Sequence, residues 1–336
     1  MLANNNKMII NKLAKNSVKS NKKQYGILFF TIVLSAFMLF CVFTIGWTYL
    51  DSSRLQNTRL NGAEYDITTM NGFTSKQVKS LQSNKNIQNV GMESYAGFIK
   101  SSEFDNTVEI GLLWCDETFW NNLMSPARTK LDGHYPQNKN ELMVTKDILK
   151  ACGNENLSVG DSIVLTYENN TGVHTDKFVI SGIWDGYGDK SAGFVSKNFY
   201  DETGYDLKND GILCIKLNRN YVLPTTIQSL EKSLNFSDRQ IFAPTDYIEN
   251  SFKLLLGICG LALVICLSAY LLIYNILYLS ISGKIRYYGL LQSLGMTKKQ
   301  LVRFITKQML FIAIAGIFIG NLLGILLCIK LVPYIL

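Results

Sequence analysis

Leu254–Gly283 reads LLLGICGLALVICLSAYLLIYNILYLSISG, thirty residues without an Asp, Glu, Lys or Arg. A membrane span needs roughly 20 apolar residues at about 1.5 Å each, and a buried soluble helix rarely runs so far uncharged. Two further charge-free stretches, Ile27–Leu50 and Gln308–Ile329, are 24 and 22 residues long. All three read as transmembrane helices. The fold class is therefore an α-helical membrane protein, with a large α+β domain of two lobes between the first and second spans. As a helix the thirty-residue stretch would measure about 45 Å against a hydrocarbon core near 30 Å. It is expected to project beyond the membrane at one end, or to absorb the excess by a tilt or break.

A basic region precedes the first stretch, as in a signal peptide. A signal peptide's apolar core is about 7–15 residues and ends at a small-residue cleavage site. Here the run is longer, and Thr44–Asp51 carries no Ala-x-Ala pattern, so an uncleaved anchor is expected.

Charge gives the orientation. All 26 acidic residues lie between Asp51 and Glu249. Lys7, Lys12, Lys15, Lys19, Lys22 and Lys23 precede the first span, and Lys284, Arg286, Lys298, Lys299, Arg303 and Lys307 lie between the second and third, with no acid in either place. Residues 51–253 hold 20 basic and 26 acidic side chains, a net of −6. The positive-inside rule puts the N-terminus and the 284–307 loop in the cytoplasm and the large domain outside a plasma membrane. The net charge of +7 is then a topology signal and argues no nucleic-acid partner.

The expected organisation is a cytoplasmic basic lead-in over 1–24 and a first span over 25–50. An extracellular domain follows over 51–252, with an insert lobe at about 103–210. The second span covers 253–283, a cytoplasmic segment 284–307 and the third span 308–330, with the start of an outer loop at 331–336. In the lead-in, Ile9, Ile10, Leu13 and Val18 recur among lysines at helical spacing, which suits a helix on the lipids of the inner leaflet. In the domain, strands are expected at Glu64–Met70, Ile87–Lys100, Val108–Cys115 and Gly211–Leu217. Helices are expected at Thr74–Ser83, Asp116–Leu123, Lys146–Cys152 and about Thr225–Leu234. A hairpin joins Ser162–Tyr167 to Lys177–Trp184 across Asn169–Gly172. The opening and the ending together make the smaller lobe.

Gly316, Gly320 and Gly324 place small residues on one face of the third span, which lets another helix approach closely. Asn321 and Asn275 are expected to hydrogen-bond across helices. None of the three apolar stretches holds a charge, which disfavours an ion-coupled pump. Cys115, Cys152 and Cys214 are the extracellular cysteines; an odd number without metal-ligand spacing reads as buried thiols, with one bridge left open. No Gly-x-x-x-x-Gly-Lys-(Ser/Thr) phosphate loop and no Gly-x-Ser-x-Gly turn occurs, and the two histidines, His134 and His174, have no metal-ligand spacing. No catalytic residue, metal or cofactor is expected.

The most informative segment is Gly283–Gln300, GKIRYYGLLQSLGMTKKQ, a turn and short helix with basic ends and an apolar middle. It resembles the FtsX/MacB-like family of ABC-transporter permeases, whose members carry Glu-Arg-x-Arg-Glu-x-Gly-x-Leu-(Arg/Lys)-Ala-Leu-Gly-Ala after their second span. Arg286, Gly289, Leu291, Leu294 and Gly295 match in order and spacing. Gly283 and Tyr287 stand where the family has Glu, and Lys284 where it has Arg. The outer segment resembles the same family at Gly133-His-Tyr-Pro…Asn140-Glu141-Leu-Met-Val, Val159-Gly-Asp-Ser-Ile-Val-Leu and Phe178-Val-Ile-Ser-Gly-Ile.

The resemblance implies that Lys284, Arg286, Tyr287, Gly289, Leu290, Leu291, Leu294 and Gly295 couple to a separate cytoplasmic ABC ATPase. It implies a second permease copy or half, and an extracellular peptide or lipid as cargo, in export or antimicrobial-peptide resistance. Such permeases have a fourth span, so the chain is expected to be an N-terminal half or a truncated member. A membrane regulator of an extracellular cell-wall hydrolase, or a receptor without an ATPase, are the other readings.

Overall fold

A computed structural model describes residues 7–100, 110–187 and 192–335. Residues 1–6 of the lead-in, the start of the insert lobe near 103, the first residues of the strand expected from Val108, and Leu336 lie outside the described residues. The chain divides into two units, Met1–Asp51 with Leu254–Leu336, and Ser52–Lys253.

Helix α1 (Lys7–Ser20) leads into α2 (Lys22–Asn61), whose 40 residues continue past both ends of the apolar stretch. At about 1.5 Å per residue α2 is about 60 Å long, twice the hydrocarbon thickness. Nothing in Asp51–Asn61 breaks a helix, and Gly62, at φ 73°, ends it by taking the left-handed conformation that side chains resist.

Within Ser52–Lys253 the smaller lobe holds β1 (Ile67–Met70), α3 (Ser75–Gln82) and the first half of β2 (Ile87–Lys100). Thr74 starts α3 with a reciprocal cap: its hydroxyl accepts the Gln77 N–H at 3.3 Å, and Gln77 Oε1 accepts the Thr74 N–H at 2.9 Å. The insert brings β3 (Ile110–Cys115), β4 (Arg128–Gly133), β5 (Glu141–Thr145), α4 (Lys146–Ala151), β6 (Ser162–Asn169), β7 (Gly172–Gly186), β8 (Ala192–Val195), α5 (Lys197–Tyr200) and α6 (Leu207–Asp210). The chain then returns to the smaller lobe through β9 (Ile212–Leu217), α7 (Pro224–Ser233) and β10 (Ile241–Pro244).

One sheet runs through both lobes in the order β10-β1-β9-β2-β3-β8-β5-β7-β4, and β6 pairs with both β2 and β7. That second pairing closes β2-β3-β8-β5-β7-β6 into a ring. The β3–β8 and β5–β7 pairs are parallel, and the other pairs are antiparallel. Strand β6 shows why the ring has an inside: Ile163, Leu165 and Tyr167 alternate inward and join Leu112, Leu142, Val144, Phe178, Ile180 and Val195 in one core. The smaller lobe has its own core of Ile67, Leu81, Val90, Ile215, Ile227, Leu230 and Ile248. Strand β2 serves both, pairing with β9 over Ile87–Glu93 and with β3 over Glu93–Ile99.

The stretch expected as a helix at Asp116–Leu123 is helical from Glu117, wound as the wider π-helix over Phe119–Leu123. Met124 N–H donates five residues back to the Phe119 carbonyl at 2.8 Å, and the extra residue lets Phe119, Trp120 and Leu123 all turn into one core. Strands β4, β8 and β10 had no expectation; β4 is mostly exposed, so it lacks the alternation that marks a strand.

The chain leaves this unit along α8 (Asp246–Ser282), which begins seven residues before the expected span at 253 and has no break. Short α9 (Ile285–Ser293) and long α10 (Lys298–Ile335) complete the chain. Residues 331–335, expected as loop, continue α10 as helix. Three helices, α2, α8 and α10, are long and apolar enough to cross a membrane. Lead-in helix α1 differs from expectation in one respect: Ile10 and Ala14 are buried against Tyr288 and Phe304, so part of its apolar side is covered by protein, not lipid.

Candidate functional site

The segment between α8 and α10 is built by two stops and a start. Gly283 and Lys284 close α8, their N–H groups donating to Leu279 at 3.0 Å and Ile281 at 3.1 Å. Helix α9 ends at Gly295, φ 98°. There the Gly295 N–H donates to Gln292 at 2.9 Å and the Met296 N–H to Leu291 at 3.1 Å. This six-to-one and five-to-two pattern needs a left-handed residue, which glycine supplies. Thr297 then opens α10: its hydroxyl accepts the Gln300 N–H at 3.3 Å and Gln300 Oε1 accepts the Thr297 N–H at 3.0 Å.

The eight residues expected to couple to a partner divide three ways. Leu291 is half-buried and packs with buried Tyr288 against Ile10, Ala14 and Phe304, which anchors α9 to α1 and α10. Arg286, Tyr287, Gly289, Leu290, Leu294 and Gly295 are exposed, with Leu290 at 62% and Leu294 at 77%. Lys284 turns the other way. Its ammonium lies 4.9 Å from the Tyr25 ring centre, without a hydrogen-bond partner among the described residues, and burial lowers its pKa. Tyr25 in turn donates to Gln308 Oε1 at 2.7 Å. Lys284 thus ties the loop to α2, a role its charge alone did not reveal.

Among the described side chains of α10 the buried ones are Phe304, Gln308, Ile312, Gly316, Gly320, Gly324 and Cys328, every fourth position. Such a row is one ridge of the helix, and α2 fills it. A methyl group on Gly316 would meet Ile32 Cγ2 at 2.8 Å, one on Gly320 the Val33 carbonyl oxygen at 2.5 Å, and one on Gly324 Phe40 Cδ1 at 2.5 Å. Both residue numbers rise together, so α2 and α10 run parallel. Gly46 faces Ile258 with 2.7 Å to a built Cβ, while Leu28 packs with Ile273, Ile276 and Leu277, so α8 runs antiparallel to α2. Asn275 is exposed and Asn321 half-buried, and neither bridges helices among the described residues, contrary to expectation.

In the Ser52–Lys253 unit, a charge network that the sequence reading missed lies between the end of α2 and strands β1 and β9. Arg54 pairs with Glu64 at 3.1 Å, and Lys216 lies 3.4 Å from Glu64 and 3.3 Å from Asp66. Asp66 and Lys216 are 1% and 5% exposed. Burial raises the Asp66 pKa, against the opposing pull of Lys216 and the Leu217 N–H, which donates to Asp66 at 2.8 Å. The Asp66 carbonyl also accepts from Thr245 at 2.8 Å, just ahead of α8. The available signal was a lone Lys in the otherwise apolar strand ILCIKL.

His134 is exposed, with Nδ1 3.0 Å from the Tyr135 carbonyl oxygen. Glu141 accepts N–H groups of Gln137 at 2.7 Å and Asn138 at 3.1 Å, which explains the Asn-Glu pair as a turn lock before β5. Cys115, Cys152 and Cys214 are free thiols, the first and last buried. Glu93 lies beside Cys214, with Sγ to Oε1 at 3.7 Å, and burial pushes its carboxyl up to about 7, the Cys214 thiol opposing.

Among solved structures, the chain is similar to the periplasmic region of MacB from Actinobacillus actinomycetemcomitans at 15% identity and a TM-score of 0.39, over 58% of this chain and 95% of that one. It is also similar to the extracellular domain of the noncanonic ABC-type transporter YknZ from Gram-positive bacteria at 11% identity and a TM-score of 0.35, over 53% and 98% of the two chains. Likenesses this slight carry no function across. No curated protein matches the chain. Residues 259–333 match the family model described as FtsX-like permease C-terminal, a segment that contains the loop, α9 and the glycine ridge.

Proposed function

We propose that the chain is the permease subunit of an ABC transporter and passes movement from a separate cytoplasmic ATPase to its large domain on the outside. The observation that carries this reading is the family match over 259–333, which includes the half-anchored helix α9. Tyr288 and Leu291 hold α9 to the bundle, while Arg286, Tyr287, Leu290 and Leu294 are left exposed. An exposed strip of Leu beside an Arg suits a protein groove better than water. Basic residues at both ends of the loop favour the cytoplasmic side, where positive charge is retained.

In this reading the ATPase draws two permease copies or halves together at α9. Because α9 is joined to α8 and α10 by short capped turns, its displacement moves both helices. Unbroken α2 and α8 carry the movement outward. The Arg54–Glu64–Lys216–Asp66 network would then act as a stiff joint, since a paired buried charge holds one geometry closely. Membrane lipids surround the spans, and the cargo is a peptide or lipid handled outside, in export or resistance to antimicrobial peptides.

A tagged pull-down from the native membrane in mild detergent, with mass spectrometry, tests the reading. A phosphate-loop ATPase at comparable abundance, lost on Leu294→Asp, supports it. A cell-wall hydrolase, or no partner, refutes it and favours the regulator or receptor.

A further inference from the structure

The smaller lobe contains a cavity of about 480 Å³ that nothing above uses, lined among others by Asn71, Lys76, Gln77, Lys208, Arg239 and Gln240. It lies within the 300–1,000 Å³ range of small-molecule sites. Its charge is unlike that of its surroundings. Residues 51–253 carry a net of −6, yet the lining holds three cations and no acid. Among the described residues, none of Lys76, Lys208 and Arg239 enters an ion pair.

The walls are fixed although the cations are not. Gln77, 7% exposed, donates to the Leu234 carbonyl at 3.1 Å and lies amide to amide with Gln240 at 3.2 Å. Gln240 donates to the Gly72 carbonyl at 2.7 Å, and Asn71 to the Arg239 carbonyl at 2.8 Å. These bonds join the loop before α3 to the loop after α7, so the cavity is shaped before anything enters it. Three cationic side chains line the one cavity, and a bound anion would offset the charge they bring to it. A phosphate-type anion with several oxygens, open to a forked guanidinium and to point-charge lysines at once, is the best match. The cavity is much larger than one such group, and its hydroxyl and amide lining suits a polar body attached to it.

We propose that this cavity binds a phosphate group carried on a small hydroxyl-bearing molecule or lipid headgroup. The proposal does not depend on the permease reading: the cavity binds with or without an ATPase, so either can fail alone.

The test uses the full chain in mild detergent, titrated calorimetrically with glycerol 3-phosphate, with glycerol, and with short-chain phosphatidylglycerol below its micelle concentration. Glycerol 3-phosphate is expected to bind and glycerol not, with affinity falling as salt rises. Arg239→Gln should weaken binding about tenfold, as for loss of one charge-assisted hydrogen bond, while Arg239→Lys retains most of it. Lys76→Gln with Lys208→Gln should lose about a hundredfold by the same arithmetic. All three side chains are exposed, so an unchanged melting temperature is expected and confirms that folding is intact. Tighter binding of the lipid would name a headgroup as the source, and tighter binding of the ester a soluble phosphate. The proposal is overturned if neither phosphate compound binds, or if the Gln variants bind as well as the parent chain.

Discussion

Replacing Gly320 by Ala tests the helix ridge with one methyl group. The added carbon would stand 2.5 Å from the Val33 carbonyl oxygen, 2.8 Å from Ala36 Cβ and 3.1 Å from the Phe37 nitrogen. Two of these are backbone atoms and cannot rotate away, so α2 and α10 must part by roughly 0.8–1 Å to restore ordinary contact. A gap of 0.5–1 Å forfeits about a quarter to a half of each dispersion contact at about 0.1–0.2 kcal/mol apiece. Spread over some 20–30 atom pairs along the ridge, that is about 1–2 kcal/mol, in line with overpacking costs of about 1–3 kcal/mol. A better helix propensity for Ala returns up to about 1 kcal/mol, leaving a net loss near 1 kcal/mol. Gly260→Ala is the matched control, because no atom lies within 4 Å of its built Cβ. Cys328, 5% exposed and next along the same ridge, reports the separation. Maleimide labelling in detergent, read by mass spectrometry of the Cys328 peptide, should run about fivefold faster in Gly320→Ala, since about 1.4 kcal/mol is tenfold in an opening equilibrium. Equal labelling in Gly320→Ala and Gly260→Ala would refute the close packing of α2 on α10.

Lys216→Met leaves Asp66 buried without its cation and should cost the Ser52–Lys253 unit about 3–5 kcal/mol in thermal or urea unfolding; adding Asp66→Asn should recover part of it. Glu93, pushed up to about 7 by burial, is neutral in both states at low pH. Its stabilising effect is full below the unfolded carboxylate value of about 4.3 and is lost as pH rises through about 7. The melting temperature of the Ser52–Lys253 unit should therefore be lower at pH 8 than at pH 5, with a smaller difference in Glu93→Gln. Leu294→Asp should leave the melting temperature unchanged, because Leu294 is 77% exposed; a marked drop would mean that α9 packs on that side.

The long apolar helices were legible because lipid-spanning stretches write themselves as runs without charge. The ends of α2 and α8 were less so, since their continuation past the apolar residues depends on the absence of a breaker before Gly62 and after Asp246. Thr74 and the Asn169–Gly172 turn were readable because caps and turns are local chemistry, and Asn169 Oδ1 does hold the Thr171 N–H at 2.8 Å. Closure of the ring was not readable, for it depends on β6 meeting β2 at Phe98–Lys100, a pairing across almost 70 residues with no local mark. The site was half legible. Loop residues could be aligned by their spacing, but only coordinates separate inward Leu291 and Lys284 from the exposed remainder, and bring Arg54, Glu64, Asp66 and Lys216 together from three elements.

Closing the ring also limits how this domain can be recognised. In the described sheet only β10, four residues long, and β4, with its Arg128, Lys130 and Asp132, end the strand order. Short or charged borders are poor templates for an added strand. A molecule that engages the domain from outside must therefore read its side chains and hollows, and an extended peptide cannot simply extend the sheet.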